Sequence, residues 1–293
     1  MTEEHRSLRE RLHGMEGVIM LIGAADTGKT TLGRQILVDA IDAGMTAAYV
    51  DGDVAADTVG HPACAGVRIV RTHEDLQDLH TSDEMRFVGS TEPAGVVLPH
   101  VVAVSSLVAS VRDDVDVVVV DTTGMVAGVV GQTLKYHLME LVRPSLVIAM
   151  QRGGEMEPTI GMLRRFLSAR VAVAHPPADL VPSSPVERSS ARRRAFARAF
   201  AEPLSRWRVQ TAVFAPTLPE GFDLTRLDGM LVGVQDDHGH CLGLGALEAA
   251  EGAVRVATRH GDAMRGLRLG SLRIDLSTFA TTRVRLRDLI FGI

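Results

Sequence analysis

Hydrophobic residues in this chain fall into short unbroken runs separated by stretches of helical spacing. Gly17-Val-Ile-Met-Leu-Ile22 is the first run. It predicts a strand buried on both faces, because a strand covered on one side alternates apolar with polar residues. A glycine-bearing loop over 23–28 leads into a helix whose apolar Leu32, Ile36, Leu37 and Ala40 recur at helical spacing, with Gly44 placed to end it. Thr46 to Val50 predicts a second strand, ending in the acidic loop Asp51-Gly-Asp53. Val117 to Val120 predicts a third, ending at Asp121, with Leu146 to Met150 a fourth and Val171 to Ala174 a fifth. Buried strands alternating with helices imply an α/β fold with a doubly wound, largely parallel sheet. Ligands of such sheets bind beyond the carboxyl ends of the strands, where the glycine loop, Asp51, Asp53 and Asp121 all fall.

The pattern changes after about residue 180. Pro182-Ser-Ser-Pro185 is a loop, and an arginine-heavy helix follows from Arg188 to about Phe200. From about Val209 onward, β-rich pieces over 230–234, 241–247, 253–257, 267–274 and 282–286 are punctuated by glycines, with Asp237-His-Gly239 as a turn. The expected organisation is therefore a first domain over 1–208 and a small, mostly β domain over 209–293. Residues 3–13 are expected to form a short charged helix.

Composition narrows the class. A 46% hydrophobic and 23% charged chain can build a sizeable core, and with only 4% aromatics that core rests on Val, Leu, Ala, Ile and Met. A net charge of −5 argues against wholesale coating of nucleic acid but allows a local basic groove. The two cysteines, Cys64 and Cys241, are far apart in sequence and lack companions at metal-ligand spacing, so they read as free thiols in a reducing compartment. The charged N-terminus has no apolar signal-peptide stretch, and no run of 18 apolar residues occurs. A cytoplasmic protein without a membrane span is expected.

The strongest chemical signal is Gly23-Ala24-Ala25-Asp26-Thr27-Gly28-Lys29-Thr30, which matches G-x-x-x-x-G-K-[ST] at every fixed position and is followed by Thr31. Small residues let successive backbone N–H groups turn inward around a β-phosphate, and the helix start adds positive potential. Lys29 is expected to reach the β- and γ-phosphates, to face solvent when the site is empty, and Thr30 to hold Mg²⁺. Position between a buried strand and a helix is the context this motif requires, so ATP or GTP is the expected cofactor.

Asp121, at the end of a valine run, is placed to bind Mg²⁺, or alternatively to cap a loop. Asp51 and Asp53 end the neighbouring strand, where one can take a proton from an attacking hydroxyl or face the metal while the other shapes the turn. Arg188, Arg192, Arg193, Arg194 and Arg198 crowd one helix, and spacing puts Arg188, Arg192 and Arg193 on one face. Such arginines neutralise a phosphoryl group in flight, hold a nucleic-acid backbone, or simply form a solvated face.

These segments resemble the P-loop polynucleotide 5′-hydroxyl kinases, which include the RNA kinase subunit of eukaryotic pre-mRNA cleavage, pre-rRNA processing kinases and archaeal relatives. The resemblance spans about residues 17 to 290. It is carried by Gly23–Thr31, Tyr49-Val-Asp-Gly-Asp-Val54, Phe87-Val-Gly-Ser-Thr-Glu-Pro93, Val119–Val126 with Gly131, Leu134, Lys135 and Pro144, and Ala149-Met-Gln-Arg152 with Glu155 and Pro158. It implies transfer of the ATP or GTP γ-phosphate to the 5′-hydroxyl of RNA or DNA. Lys29, Arg188 and Arg192 or Arg193 would stabilise the moving phosphoryl group, and Asp53 would be the base. Thr30, Asp53 and Asp121 would hold Mg²⁺. It also implies a substrate-facing role for Asp51, Thr122, Thr123, Gly124, Met125, Gln151 and Arg152. Two departures stand out: Ala55-Ala56 where the family carries Gly-Gln, and Met125 where eukaryotic members carry tryptophan. They keep open an NTP-dependent switch or assembly factor, and a kinase of a small metabolite.

Overall fold

The computed structural model describes residues 12, 14–177, 180–201, 203–250 and 253–291. The helix expected over 3–13 lies almost wholly outside them.

The first sheet has seven strands: β1 (Gly17–Gly23), β2 (Ala47–Gly52), β3 (Cys64–Val70), β4 (Glu84–Phe87), β5 (Val117–Thr122), β6 (Leu146–Met150) and β7 (Val171–Ala174), in the order β4-β3-β2-β5-β1-β6-β7. The five strands from β2 to β7 in that order are parallel, while β3 runs antiparallel to β2 and β4 to β3. The continuous apolar runs of β1 and β5 are buried along both faces, as a central parallel strand requires. Helices cover both sides: α1 (Lys29–Asp42), α2 (His73–Gln77), α3 (Val97–Val111), α4 (Gly128–Val142) and α5 (Glu157–Leu167). Ile19 and Leu21 of β1 pack with Leu32, Ile36 and Leu37 of α1 on one face. Val18, Met20 and Ile22 pack with Val104, Leu107, Leu134 and Leu138 of α3 and α4 on the other.

Helix α6 (Pro185–Ala199) starts with a capping box in which the Ser184 hydroxyl accepts from the Glu187 N–H, and it leads into the second sheet. That sheet contains β8 (Ser205–Val209), β9 (Phe214–Ala215), β10 (Met230–Gln235), β11 (Cys241–Ala250), β12 (Ala253–Thr258), β13 (Gly266–Ile274) and β14 (Thr281–Arg283) in the order β14-β13-β10-β11-β12-β8, with β9 pairing β13. The β structure expected over 282–286 is met at 282–283 by β14, and a helix, α7 (Leu286–Phe291), begins at the last of those positions. All of β8 pairs with β12, so we draw the division between the sheets before Ser205 rather than after residue 208.

The sheets meet in one apolar seam of Cys64, Phe87, Phe196, Phe200, Leu231, Cys241 and Leu272. A Cβ on Gly233 would lie 2.4 Å from Phe87 Cγ, so the second sheet can approach that ring only through a glycine. The two cysteines, distant in sequence, come together there with sulfurs 4.0 Å apart as free thiols.

Candidate active site

The loop from Ala24 to Gly28 joins β1 to α1. Gly28 is the N-cap of α1 in the left-handed region (φ 86°), and no side chain caps the helix, so its first N–H groups remain available to an anion. Lys29 is only 6% exposed and donates from Nζ to Ala24 O at 2.8 Å. This corrects the expectation of a solvent-facing lysine: its ammonium folds back onto a carbonyl of its own loop. Thr27 donates to the same carbonyl at 2.9 Å.

Asp121 is buried at the end of β5. Its Oδ2 accepts from Thr30 Oγ1 at 2.5 Å and from Tyr49 OH at 2.9 Å, while its buried Oδ1 has no partner. Burial pushes its carboxyl pKa up, opposed by Lys29 and by the Thr30 hydrogen bond. An unpartnered buried carboxylate oxygen is costly unless a ligand meets it.

Asp51 differs from expectation. It lies within β2 rather than in a loop, is buried, and accepts from the N–H groups of Asp53 at 3.0 Å and Val59 at 3.1 Å. Burial, with Asp121 and Asp53 nearby, drives its carboxyl pKa well up. It shapes the 52–59 turn, while Asp53 reaches an open cavity of about 1010 Å³.

That cavity brings together most of the anticipated residues. Ala24, Ala25, Asp26, Gly28, Lys29, Thr30 and Thr31 form one wall, Asp53 another, Thr123, Gly124 and Met125 a third, and Arg188 and Arg192 of α6 the lid side. Gly124 lies so close to the phosphate loop that a Cβ would sit 2.5 Å from Ala25 N. Thr91, Glu92, Leu180, Val181 and Ser183 line it as well, beyond the anticipated set.

Others fall elsewhere. Thr122 is buried and donates to Leu21 O at 2.7 Å. Gln151 is buried too: its Nε2 donates to Glu157 at 2.7 Å and its Oε1 accepts from Met156 N, so it secures the start of α5 instead of facing the cavity. Arg152 braces the phosphate loop from outside, donating to Asp26 O at 2.7 Å and Leu180 O at 3.3 Å. Arg193 is exposed off the cavity wall, so the shared face expected of Arg188, Arg192 and Arg193 holds only for the first two.

The lid has a latch at each end. Arg188 pairs with Asp26 at 3.3 Å, and Ser183 donates to the same carboxylate through both N–H and hydroxyl at 3.2 Å. Asp26 itself is left-handed (φ 57°), which aims it toward α6. Arg198 pairs with Asp57. Tyr49 and Asp26 in these roles were not foreseen; the only signals for them were a tyrosine two residues before Asp51 and an aspartate inside the phosphate-loop motif.

Among the described residues no cluster of three or more His, Cys, Asp or Glu side chains could hold a metal. The donors at hand are the Thr30 hydroxyl, the bare Asp121 Oδ1 and the Asp53 carboxylate on the cavity wall. Oxygen ligands few in number suit Mg²⁺ that arrives already bound to phosphates.

The family model for the mRNA cleavage and polyadenylation factor CLP1 P-loop matches residues 23–202. The chain belongs to this family. Nucleotide binding through the phosphate loop follows for this member of the CLP1 P-loop family. Among curated relatives, a polyribonucleotide 5′-hydroxyl-kinase of Pyrococcus horikoshii is 28% identical, with the match covering 87% of this chain and 85% of that protein. One of Pyrococcus abyssi is 34% identical over 48% of this chain and 40% of its own length. A solved wild-type Clp1p–Pcf11p complex superposes on 92% of this chain and 78% of its own with TM-score 0.68 at 13% identity, a likeness of fold. No helix among the described residues is long and apolar enough to cross a membrane.

Proposed function

We propose that this chain is a polynucleotide 5′-hydroxyl kinase that moves the γ-phosphate of ATP to the 5′-OH end of RNA. The observation that carries this reading is a carboxylate, Asp53, on the wall of a cavity whose other walls are the phosphate loop and the Arg188–Arg192 face of α6. The relatives named for this activity on polyribonucleotides support RNA over DNA.

In this reading the loop N–H groups and Lys29 hold the β- and γ-phosphates, Lys29 exchanging Ala24 O for phosphate oxygens. Asp53 takes the proton of the 5′-hydroxyl, whose oxygen forms the new bond to the γ-phosphorus as the bond to the β,γ-bridging oxygen breaks, releasing ADP. Arg188 leaves Asp26 and, with Arg192, meets the charge on the moving phosphoryl group. Thr30, Asp121 and Asp53 would hold Mg²⁺, which supplies charge neutralisation on the phosphates. Thr123, Gly124 and Met125 form the substrate-side wall. Two buried free thiols support a reducing cytoplasmic setting.

A switch or assembly factor is the second reading, supported by Ala55 and Ala56 on the cavity wall, which offer the nucleotide no polar side chain. The deciding experiment incubates the protein with ATP and matched RNA oligonucleotides bearing a 5′-OH or a 5′-phosphate. Phosphorylation of the 5′-OH strand alone is expected. ATP hydrolysis without labelled RNA would instead favour the switch.

A further inference from the structure

The last register pair of β2 and β5 is Gly52 opposite Thr122. Gly52 directly precedes Asp53 and Thr122 directly follows Asp121, so this pair determines how the two carboxylates are presented. Gly52 must be glycine for the strands to close: a Cβ would lie 2.9 Å from Asp121 O and 3.1 Å from Val104 of α3.

Each member of the pair is gripped by a buried basic side chain from the α3–α4 face of the sheet, opposite α1. His100 of α3 is 0% exposed, and its Nε2 lies 2.7 Å from Gly52 O. A carbonyl only accepts, so Nε2 carries the proton and Nδ1 is bare, buried and without a partner. Lys135 of α4 is also 0% exposed and donates from Nζ to Thr122 Oγ1 and Thr123 O, each at 2.7 Å. Thr122 in turn donates to Leu21 O of β1, the strand that leads into the phosphate loop. One amine thus ties α4, the end of β5 and the end of β1 together.

Stability alone is a poor reason for these residues. Among the described residues Lys135 has no ion pair, and burial pushes its pKa down to about 7; burial likewise lowers that of His100 to about 4. A methionine would fill much the same space as Lys135 without taking an amine out of water.

We propose that Lys135 and His100 are positioning residues: by holding Thr122 and Gly52 they set the spacing and aim of Asp121 and Asp53. Their effect on transfer rests on the kinase reading above, but their effect on the carboxylates does not.

Lys135→Met and His100→Leu are compared with Leu138→Ala, which opens a cavity in the fully buried core one turn along α4 and leaves both strand ends held. Two quantities are measured: ATP affinity by equilibrium titration with and without Mg²⁺, and single-turnover transfer to 5′-OH RNA. All three variants are expected to melt earlier. Lys135→Met and His100→Leu should bind Mg²⁺-free ATP like the wild type, lose about tenfold or more of the gain from Mg²⁺, and transfer about 10–100-fold more slowly. Leu138→Ala should keep the gain and the rate. If the two variants match Leu138→Ala in the Mg²⁺-dependent gain, or the wild-type affinity ignores Mg²⁺, the positioning role is overturned. A gain that separates the variants in a protein that labels no RNA would leave the positioning role standing and remove the kinase reading.

Discussion

The phosphate-loop side of the cavity and its lid side are built by opposite means. On the loop side, Lys29 and Asp121 are buried, and Thr30 and Tyr49 both fasten the same carboxylate oxygen through contacts of 2.5 and 2.9 Å. On the lid side, Arg188 and Arg198 are about half exposed and held by single ion pairs to Asp26 and Asp57. Exposed pairs of this kind contribute little stability and exchange readily. The contrast separates two requirements of phosphoryl transfer. Groups that hold charge throughout must be preorganised in a dry site, whereas groups that meet charge only in flight must be free to arrive and leave.

If this division is right, the loop side should fail hardest. Lys29→Ala is expected to reduce transfer to background and to cost some stability as well, because the buried Lys29 hydrogen-bonds its own loop and offsets the charge of buried Asp121. Wild-type turnover in that variant would break the assignment of the phosphate site. On the lid, replacing Arg188 and Arg192 together with alanine should cost about 10³-fold or more in transfer while leaving ATP affinity within a few fold. A matching loss of ATP binding would show that the lid is part of the fixed site.

Asp53→Asn should lower single-turnover transfer by about 10²–10⁴-fold with nucleotide binding kept, since an amide has the carboxylate's shape but cannot take the proton. Asp121→Asn should be rescued in part by raised Mg²⁺, with the half-saturating concentration up about 10–100-fold, and a defect indifferent to Mg²⁺ would count against its metal role. Asp51→Asn should do less to transfer than either, because Asp51 accepts two turn N–H groups and lies off the cavity wall.

The smallest effect concerns pH. Lys135 sits at about 7 in the fold against 10.5 for an ordinary lysine. Between those values the unfolded chain holds the extra proton, so this group makes stability rise as pH increases through that window. Denaturant titrations from pH 7 to 10 should show a flatter rise for Lys135→Met than for the wild type. Equal slopes would mean Lys135 is not depressed in the fold.

Sequence revealed the elements whose chemistry is local. The phosphate loop is legible because cradling a phosphate demands glycines and a lysine at fixed spacing, and β1 and β5 because burial on both faces requires unbroken apolar runs. Strands β3 and β4 escaped notice: Cys64–Val70 mixes Gly66 and Arg68 into its run, and Glu84–Phe87 spans four residues. Side-chain placement was harder still. Gln151 looked substrate-facing because the family resemblance placed it there, but the start of α5 claims both ends of its amide. Lys135 falls on the buried face of α4 with Gly131, Leu134, Leu138 and Val142, but a lone lysine reads by residue type as solvated. Asp51 and Asp53 were equivalent candidates by residue type; β2 continuing through Gly52 is what buries one and leaves the other at the cavity.

The central claim is that a fixed carboxylate and a movable lid carry ATP's γ-phosphate to a 5′-hydroxyl. Its most direct test is single-turnover reaction of wild type and Asp53→Asn, side by side, with ATP and a 5′-OH RNA strand, read by the mass of the strand. The account predicts that the wild-type strand gains one phosphoryl group at its 5′ end, and that Asp53→Asn forms the same product far more slowly while binding ATP normally. A strand left unchanged by the wild type, or phosphorylated equally fast by both proteins, would contradict it.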